Sequence, residues 1–317
     1  MPFIGWLNAT LALTMVAMAS LNVSVVSQAL SVDIRQAIVS AAQLGFAGVQ
    51  CDAFSPNFRL VDLSITGQRE FQRLLANQSQ RLVSLRMELG PQGLMPGADI
   101  DRLLDQVDQA MHITRSLAAE LLCIDLGRLP AATESIPKTQ KFISPIEAGL
   151  ILIPQPVVVE ESPPAEFSKP DPAAAQFDAA LTELGSRADR YSTTVAFRSD
   201  LASLASLEQA LQWVRCPWFA VDLDPVSILQ EGRPIDDIFS ALGPWIHHIR
   251  GRDGIKGSGN RTQSAPLGRG DTDWNQLLHA VDEMDYRGWL TLDPVSLPNS
   301  KDAAIAGLQF LRRLSVG

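Results

Sequence analysis

The sequence predicts a single-domain (β/α)8 barrel, the TIM-barrel fold, and three observations lead to this prediction. Short apolar segments rich in β-branched residues alternate eight times with amphipathic segments. The length of 317 residues is one that such barrels fill as a single unit. No GxGxxG motif follows the first apolar segment, which disfavours the alternative fold, a doubly wound open sheet.

The strands are predicted where short apolar runs carry Val, Ile, Leu and Phe between turn residues. In chain order they cover residues 21–27, 48–52, 82–87, 121–126, 193–197, 219–223, 246–249 and 289–292. The helices are predicted where apolar residues recur every three or four positions, as at Leu103, Val107 and Met111. In chain order they cover residues 33–44, 67–80, 100–116, 173–189, 204–214, 234–242, 273–284 and 303–314. Each predicted strand is thus followed by a helix, as a barrel requires.

Two segments fall outside this alternation. Residues 130–172 hold nine of the 20 prolines and form a predicted insertion after the fourth strand, on the face where barrels carry their active sites. We interpret this insertion either as a lid over that face or as a segment without a role in the site. Residues 1–20 form a predicted apolar extension ahead of the barrel, which covers residues 21–317.

The N-terminal extension and the cysteines bear on the cellular compartment. Ala17-Met18-Ala19 has the shape of a signal-peptidase site, but no Lys or Arg precedes Arg35, so the positive region of a signal peptide is missing. The three cysteines lie far apart in apolar runs, which is typical of buried thiols in a reducing compartment. We therefore expect a cytoplasmic protein, with export as the alternative.

The composition excludes several classes of function. The formal net charge is −9 and the pI is about 5.0, so nucleic acid is not expected as a partner. No segment is long and apolar enough to predict a membrane span. A site built from three or four imidazoles is excluded because the chain has only four histidines, at positions 112, 247, 248 and 279.

Charged residues follow the later predicted strands, at the ends that converge on one pocket of a barrel. Arg198 follows the fifth strand, Asp224 the sixth and Asp293 the eighth. The seventh strand lies within the segment WIHHIRGRD, which supplies further polar groups. The candidate site residues, in chain order, are Arg198, Asp224, His248, Arg250, Arg252, Asp253 and Asp293.

The C-terminal third resembles the xylose isomerase-like barrels, the sugar phosphate isomerase/epimerase group that includes tagatose/psicose epimerases and endonuclease IV. The family pattern of Asp-x-x-His, Gly, helix and His-x-Lys-Asp is similar to LDPVSILQEGRPIDDIFSALGPWIHHIRGRD. The family pattern of Leu-Gly-x-Gly-x-x-Asp-Trp, helix, Tyr-x-Gly and final strand is similar to SAPLGRGDTDWNQLLHAVDEMDYRGWLTLD. A weaker likeness extends to LSVDIRQAIVSAAQLGFAGVQ near the N-terminus.

The resemblance implies an isomerase or epimerase of a sugar or sugar phosphate that holds one divalent ion (Mn, Mg, Zn or Co). In the family the ion is bound by a Glu, an Asp, a His and a Glu after strands five to eight. The matching residues in this chain are Arg198, Asp224, Arg250 and Asp293. The His of the Asp-x-x-His pattern is Ser227.

Two of these four positions carry a side chain that is unable to bind a metal. A guanidinium stays protonated and has no lone pair to donate. We therefore predict no metal and no other cofactor, with arginine charges where the ion would lie. In this interpretation Asp224 and Asp293 are the catalytic residues. The predicted substrate-binding residues are Arg198, Arg250, Arg252, Asp253 and His248.

Whether the protein is an enzyme stays open from the sequence. One hypothesis is a metal-independent isomerase or epimerase in which an arginine polarises a carbonyl and an aspartate removes a proton. The alternative is a catalytically inactive barrel whose mouth forms salt bridges and binds a small anionic or polar ligand, or a protein partner. A nuclease like endonuclease IV is disfavoured, since the histidines and the basic surface are missing. An oligomer is compatible with either hypothesis.

Overall fold

In the computed structural model, which describes residues 21–132, 171–257 and 262–314, parallel strands close into a barrel surrounded by helices. The barrel strands are β1 (Asn22–Val26), β2 (Gly48–Asp52), β3 (Arg81–Glu88), β4 (Leu121–Asp125), β5 (Val195–Arg198), β6 (Phe219–Leu223), β7 (Ile246–Gly251) and β10 (Trp289–Leu292). Neighbouring strands follow one another along the chain, and β1 pairs with both β2 and β10, which closes the sheet. The predicted (β/α)8 barrel is confirmed.

A short hairpin is inserted after β7 and was not predicted. Its strands are β8 (Asp253–Lys256) and β9 (Thr262–Ala265), which pair antiparallel outside the barrel sheet. The sequences DGIK and TQSA lack the apolar alternation from which strands were predicted, because the hairpin is largely exposed. The hairpin rises from the end of β7, beside the carboxyl ends of the barrel strands.

Every predicted helix is present. The helices are α1 (Ile34–Leu44), α2 (Ile65–Asn77), α3 (Ile100–Ser116), α4 (Pro172–Tyr191), α5 (Leu204–Val214), α6 (Pro225–Glu231), α7 (Ile235–Leu242), α8 (Trp274–Glu283) and α9 (Ser300–Leu314). The short helix α6 was not predicted; it begins directly after Asp224, whose side chain caps it. Within the described ranges no helix is long and apolar enough to cross a membrane. The predicted extension at residues 1–20 and most of the predicted insertion at residues 130–172 lie outside the described residues.

Polar side chains fill part of the barrel interior. Ser24 Oγ lies 2.6 Å from Thr291 Oγ1, and Gln50 Nε2 donates a hydrogen bond of 2.7 Å to Ser84 Oγ. Buried polar groups are stable only with partners, so this network favours one arrangement of the strands. We refer to the interior side chains at this level as the polar layer. Its members are Ser24, Gln50, Ser84, Cys123, Asp222, His248 and Thr291.

Candidate functional site

Charged side chains line the carboxyl ends of the barrel strands, which form the mouth where barrel active sites lie. They lie directly above the polar layer, at strand ends or in the loops that follow. We refer to this set as the mouth ring. Its members are Asp52, Arg86, Asp125, Arg198, Asp200, Asp224, Arg250, Arg252 and Asp293.

Beside β4, β5 and β6 the mouth ring forms a continuous series of ion pairs. Arg198 Nη2 lies 2.8 Å from Asp125 Oδ2, and Arg198 Nη1 lies 2.6 Å from Asp200 Oδ1. Arg252 Nη1 lies 3.2 Å from Asp200 Oδ1 and 2.8 Å from Asp224 Oδ2. Both arginines thus bridge two carboxylates, and Asp200 is shared between them.

A second series of ion pairs lies beside β2, β3, β7 and β10. Arg86 forms an ion pair with Asp52, and its Nη1 lies 3.2 Å from Asp293 Oδ2. Arg250 Nη1 lies 2.5 Å from the same oxygen of Asp293. Arg250 also reaches down to the polar layer, where its Nη2 lies 2.6 Å from Asp222 Oδ2. This arginine therefore joins the mouth ring to the barrel interior.

The two predicted catalytic residues, Asp224 and Asp293, have opposite electrostatic environments. Burial raises the pKa of Asp224, and Arg252 offsets this only in part, so that its pKa lies above the usual range. Burial also acts on Asp293, but the guanidinium groups of Arg250, Arg86 and Arg252 together outweigh it, and the pKa of Asp293 falls to about 2. A proton is therefore held more readily by Asp224 than by Asp293.

Among the predicted substrate-binding residues, Arg198 and Arg252 are the ones that reach solvent at the mouth. The exposed fractions of their side chains are 12% and 21%, and that of Asp200 between them is 45%. Their guanidinium groups share contacts with this carboxylate, so a ligand would meet donors and an acceptor side by side.

His248 and Arg250 lie beneath the mouth surface, fully buried. His248 Nδ1 lies 2.6 Å from Asp222 Oδ1, and Nε2 lies 2.6 Å from Thr291 Oγ1, so both ring nitrogens are engaged within the barrel. Burial lowers the pKa of His248, but Cys123 and Asp222 outweigh it and raise the pKa to about 10. We therefore revise the interpretation of both side chains: His248 belongs to the polar layer, and Arg250 connects that layer, through Asp222, to Asp293 of the mouth ring.

Asp253, also predicted to bind substrate, is instead surrounded by protein N–H donors. Its two carboxylate oxygens accept five hydrogen bonds of 2.9–3.3 Å. The donors are the backbone N–H groups of Gly254, Gly268, Gly270 and Thr272 and the indole Nε1–H of Trp274. Because the donors lie between the end of β7 and the first residue of α8, Asp253 is revised to a residue that fixes the connection between these two elements.

Three charged residues of the site were missed because they lie on the second, third and fourth strands, whereas the candidates were taken from the late strands. They are Asp52, Arg86 and Asp125. Each stands near the end of an apolar strand sequence, within GVQCD, RLVSLRME or LLCID. A charge at that place is costly unless it is paired, which is the signal that identifies it as a residue of the mouth or interior.

The side chains at the four family positions decide whether the mouth can hold the divalent ion that the resemblance implies. Arg198 and Arg250 offer no lone pair. Asp224 Oδ2 contacts Arg252, and Asp224 Oδ1 accepts a hydrogen bond of 3.0 Å from the backbone N–H of Val226. Asp293 Oδ2 contacts two guanidinium groups. The residues at the four family positions therefore do not fit such an ion.

The role of Asp253 gives a test by substitution. We expect Asp253→Asn to lower the free energy of unfolding by about 3 kcal/mol. The reason is that the amide NH₂ group replaces a carboxylate oxygen that accepts hydrogen bonds from N–H groups and is itself unable to accept them. Asp273→Asn is the matched control: Asp273 caps α8 with one side-chain hydrogen bond, and Asn caps equally well. Chemical denaturation measures both; equal stability of the two variants would contradict this role.

Comparison with known proteins gives the family. The model of the xylose isomerase-like TIM barrel family matches residues 38–314. No curated protein matches the chain.

Solved structures show the same fold at low sequence identity. A xylose isomerase domain protein from Planctomyces limnophilus has 16% identity and a TM-score of 0.68, with 93% of this chain and 95% of that chain covered. The probable 3-DHS dehydratase AsbF from Bacillus anthracis has 15% identity and a TM-score of 0.67, with 92% and 99% covered. A D-allulose 3-epimerase from Methylomonas sp., in complex with D-allulose, has 18% identity and a TM-score of 0.61, with 92% and 96% covered. The family match covers most of the chain, which therefore belongs to the xylose isomerase-like TIM barrel family.

Proposed function

We propose that the mouth ring binds a neutral, hydroxyl-rich sugar without a divalent metal at the mouth. The observation that carries this proposal is the pairing within the ring, where each guanidinium contacts at least one carboxylate. A sugar hydroxyl donates to a carboxylate and accepts from a guanidinium. Neighbouring hydroxyls on one sugar therefore find both kinds of partner side by side.

The charge balance of the ring favours a neutral ligand over an anionic one. The ring contains five carboxylates and four guanidinium groups, so it carries no surplus of positive charge. A phosphate or carboxylate ligand would have to compete with aspartates that already hold the arginines. The sequence predicted a sugar or an anion as the ligand. The charge balance of the ring narrows this expectation to a neutral sugar.

The contacts assign separate roles to the candidate residues. Arg198, Arg252 and Asp200 face the ligand, because they form one series of ion pairs and Asp200, at 45%, is the most exposed side chain of the mouth ring. Arg250 is a positioning residue that fixes Asp293 from below. The sugar class is suggested by the solved relative that binds D-allulose, a ketohexose. Ketohexoses are thus the first ligands to try.

Calorimetry with D-allulose and D-fructose tests the proposal. We expect binding that persists in excess chelator and that weakens at least tenfold, about 1.4 kcal/mol, in Arg198→Met and in Arg252→Met. The matched control is Arg187→Met: Arg187 is 17% exposed and pairs with Glu183 and Asp108 away from the mouth.

Three outcomes would contradict the proposal. They are loss of sugar binding on chelation, equal weakening in the Arg187 control, and tighter binding of a sugar phosphate than of the neutral sugar. Circular dichroism of each variant separates loss of binding from loss of fold.

A second candidate function is isomerisation or epimerisation of the bound sugar. The observation that favours it is the contact of Asp224 Oδ2 with Arg252 at 2.8 Å, with Arg198 Nη1 at 4.0 Å. A carboxylate in this position would take a proton from the carbon beside the carbonyl, and the guanidinium would stabilise the negative oxygen that results. Asp224, whose pKa is raised, would hold this proton and deliver it to the former carbonyl carbon, while the hydroxyl proton passes between the two oxygens. Asp293, the other predicted catalytic residue, has a lowered pKa and would stay ionised, paired with Arg86 and Arg250.

Proton exchange in heavy water tests this second function. If the chain is catalytic, D-fructose or D-allulose incubated with it in D₂O gains deuterium beside the carbonyl, as followed by NMR. We expect Asp224→Asn to abolish the exchange and the Asp273→Asn control to retain it. Sugar binding without any exchange would leave binding as the function.

A further inference from the structure

Below the mouth ring, three side chains bring a sulfur, a nitrogen and an oxygen together inside the barrel. Cys123 Sγ lies 3.7 Å from His248 Nδ1, which lies 2.6 Å from Asp222 Oδ1. The three ligand atoms all lie within 4.8 Å of one another, and all three side chains are fully buried. Among the described residues this is the one such group of His, Cys and acidic side chains.

The strand order explains how this group forms. Cys123 is on β4, Asp222 on β6 and His248 on β7, so the side chains meet across the barrel interior. On the intervening strand β5, the residue paired with Cys123 is Ala196, whose methyl group leaves room for the thiol to approach the imidazole. The side chains of Cys123, Asp222 and His248 therefore come into contact because the strands that carry them belong to one closed barrel.

We propose that Cys123, Asp222 and His248 form a binding site for Zn²⁺ or an ion of similar preference. Thiolate, imidazole and carboxylate are the ligands that zinc takes in proteins, usually in a tetrahedron. Bonds of about 2.0–2.3 Å place tetrahedral ligand atoms roughly 3–4 Å apart. Sγ and Nδ1, at 3.7 Å, already have this separation, whereas Nδ1 and Oδ1, at 2.6 Å in their hydrogen bond, have to move apart when an ion binds. Binding displaces the thiol proton and the proton between Nδ1 and Oδ1.

The contacts around the three ligands support this site. His248 Nε2 lies 2.6 Å from Thr291 Oγ1, so the ring nitrogen opposite the ligand atom is held by a hydroxyl. Asp222 Oδ2 is held by Arg250, which leaves Oδ1 directed toward Cys123 and His248. Contacts of this kind orient the ligands of metal sites.

A fourth ligand is available from Gln50 on β2. Its Nε2 lies 3.3 Å from Cys123 Sγ, and its Oε1 is buried without a hydrogen-bond partner among the described residues. The oxygen and nitrogen of a side-chain amide exchange places by a rotation of half a turn. This rotation brings Oε1 next to Cys123, and we propose it as the fourth ligand.

The site is distinct from the one that the family uses. Asp222 and His248 each stand two residues before a family ligand position, Asp224 on the sixth strand and Arg250 on the seventh. They therefore lie one layer deeper in the barrel. There Cys123, once deprotonated, and Asp222 bring two negative charges to a divalent ion, and the positive charge of Arg250 is shared between Asp222 and Asp293. The site does not depend on what the mouth binds.

Metal analysis and cobalt spectroscopy test the site. We expect the full chain, purified without chelator, to contain one zinc ion, and the Co²⁺-loaded chain to show a thiolate-to-cobalt charge-transfer band. Cys123→Ser should remove the band and the ion, while Asp224→Asn and Asp293→Asn at the mouth should retain both. The wild-type spectrum is informative even if the Cys123 variant fails to fold.

Two results would overturn the inference, and they have different consequences for the proposed metal-free mouth. If the folded wild-type chain binds neither Zn²⁺ nor Co²⁺, the site does not exist, and the proposed metal-free mouth is unaffected. If the ion is lost in Asp224→Asn or Asp293→Asn but retained in Cys123→Ser, it lies at the mouth, and both proposals are wrong.

Discussion

The arrangement of the mouth depends on the buried guanidinium of Arg250. A charge without exposure to water is stable only when it is paired, and Arg250 is paired with Asp222 below and with Asp293 above. Burial lowers the pKa of Arg250, but these two carboxylates outweigh it and hold the pKa well above its usual range. The charge is therefore permanent, and it occupies the place where the family has a neutral, metal-binding histidine. The positions of Asp293 and, through it, Arg86 follow from this contact.

The mouth shows how one fold supports different chemistry. Its fold relatives include an epimerase that binds a sugar and a dehydratase, so the barrel alone does not determine the reaction. At the mouth of this chain guanidinium and carboxylate groups alternate, and we propose that they take the place of a metal and its ligands. Such a ring keeps the geometry of the strand ends without an ion, and it presents hydrogen-bond donors and acceptors rather than a Lewis acid. We propose that a sugar uses these groups directly.

Sequence patterns predicted the barrel well because each strand and helix has its own period of apolar residues. The hairpin β8–β9 was not predicted because its two segments, DGIK and TQSA, contain too few apolar residues to show the period of a strand. The site was predicted less completely, since strand ends reveal which side chains reach the mouth but not which ones pair. The ion pairs of Arg86 with Asp52 and Asp293 could not be predicted, because they form only when the closed barrel brings the ends of β2, β3 and β10 together. Asp253 follows a strand, as a ligand-binding residue of a barrel does, and was predicted to bind substrate for that reason. Its carboxylate instead accepts hydrogen bonds from five N–H groups, and their positions around it depend on how the segment after β7 folds.

The most direct test of the central claim, that arginines replace the ion at the mouth, is a crystal structure grown with Mn²⁺ and examined by anomalous scattering. The account predicts no manganese between Asp224 and Asp293, with Arg250 in contact with both Asp222 and Asp293. A manganese peak bound by Asp224 and Asp293, with Arg198 and Arg250 turned away from the mouth, would contradict it.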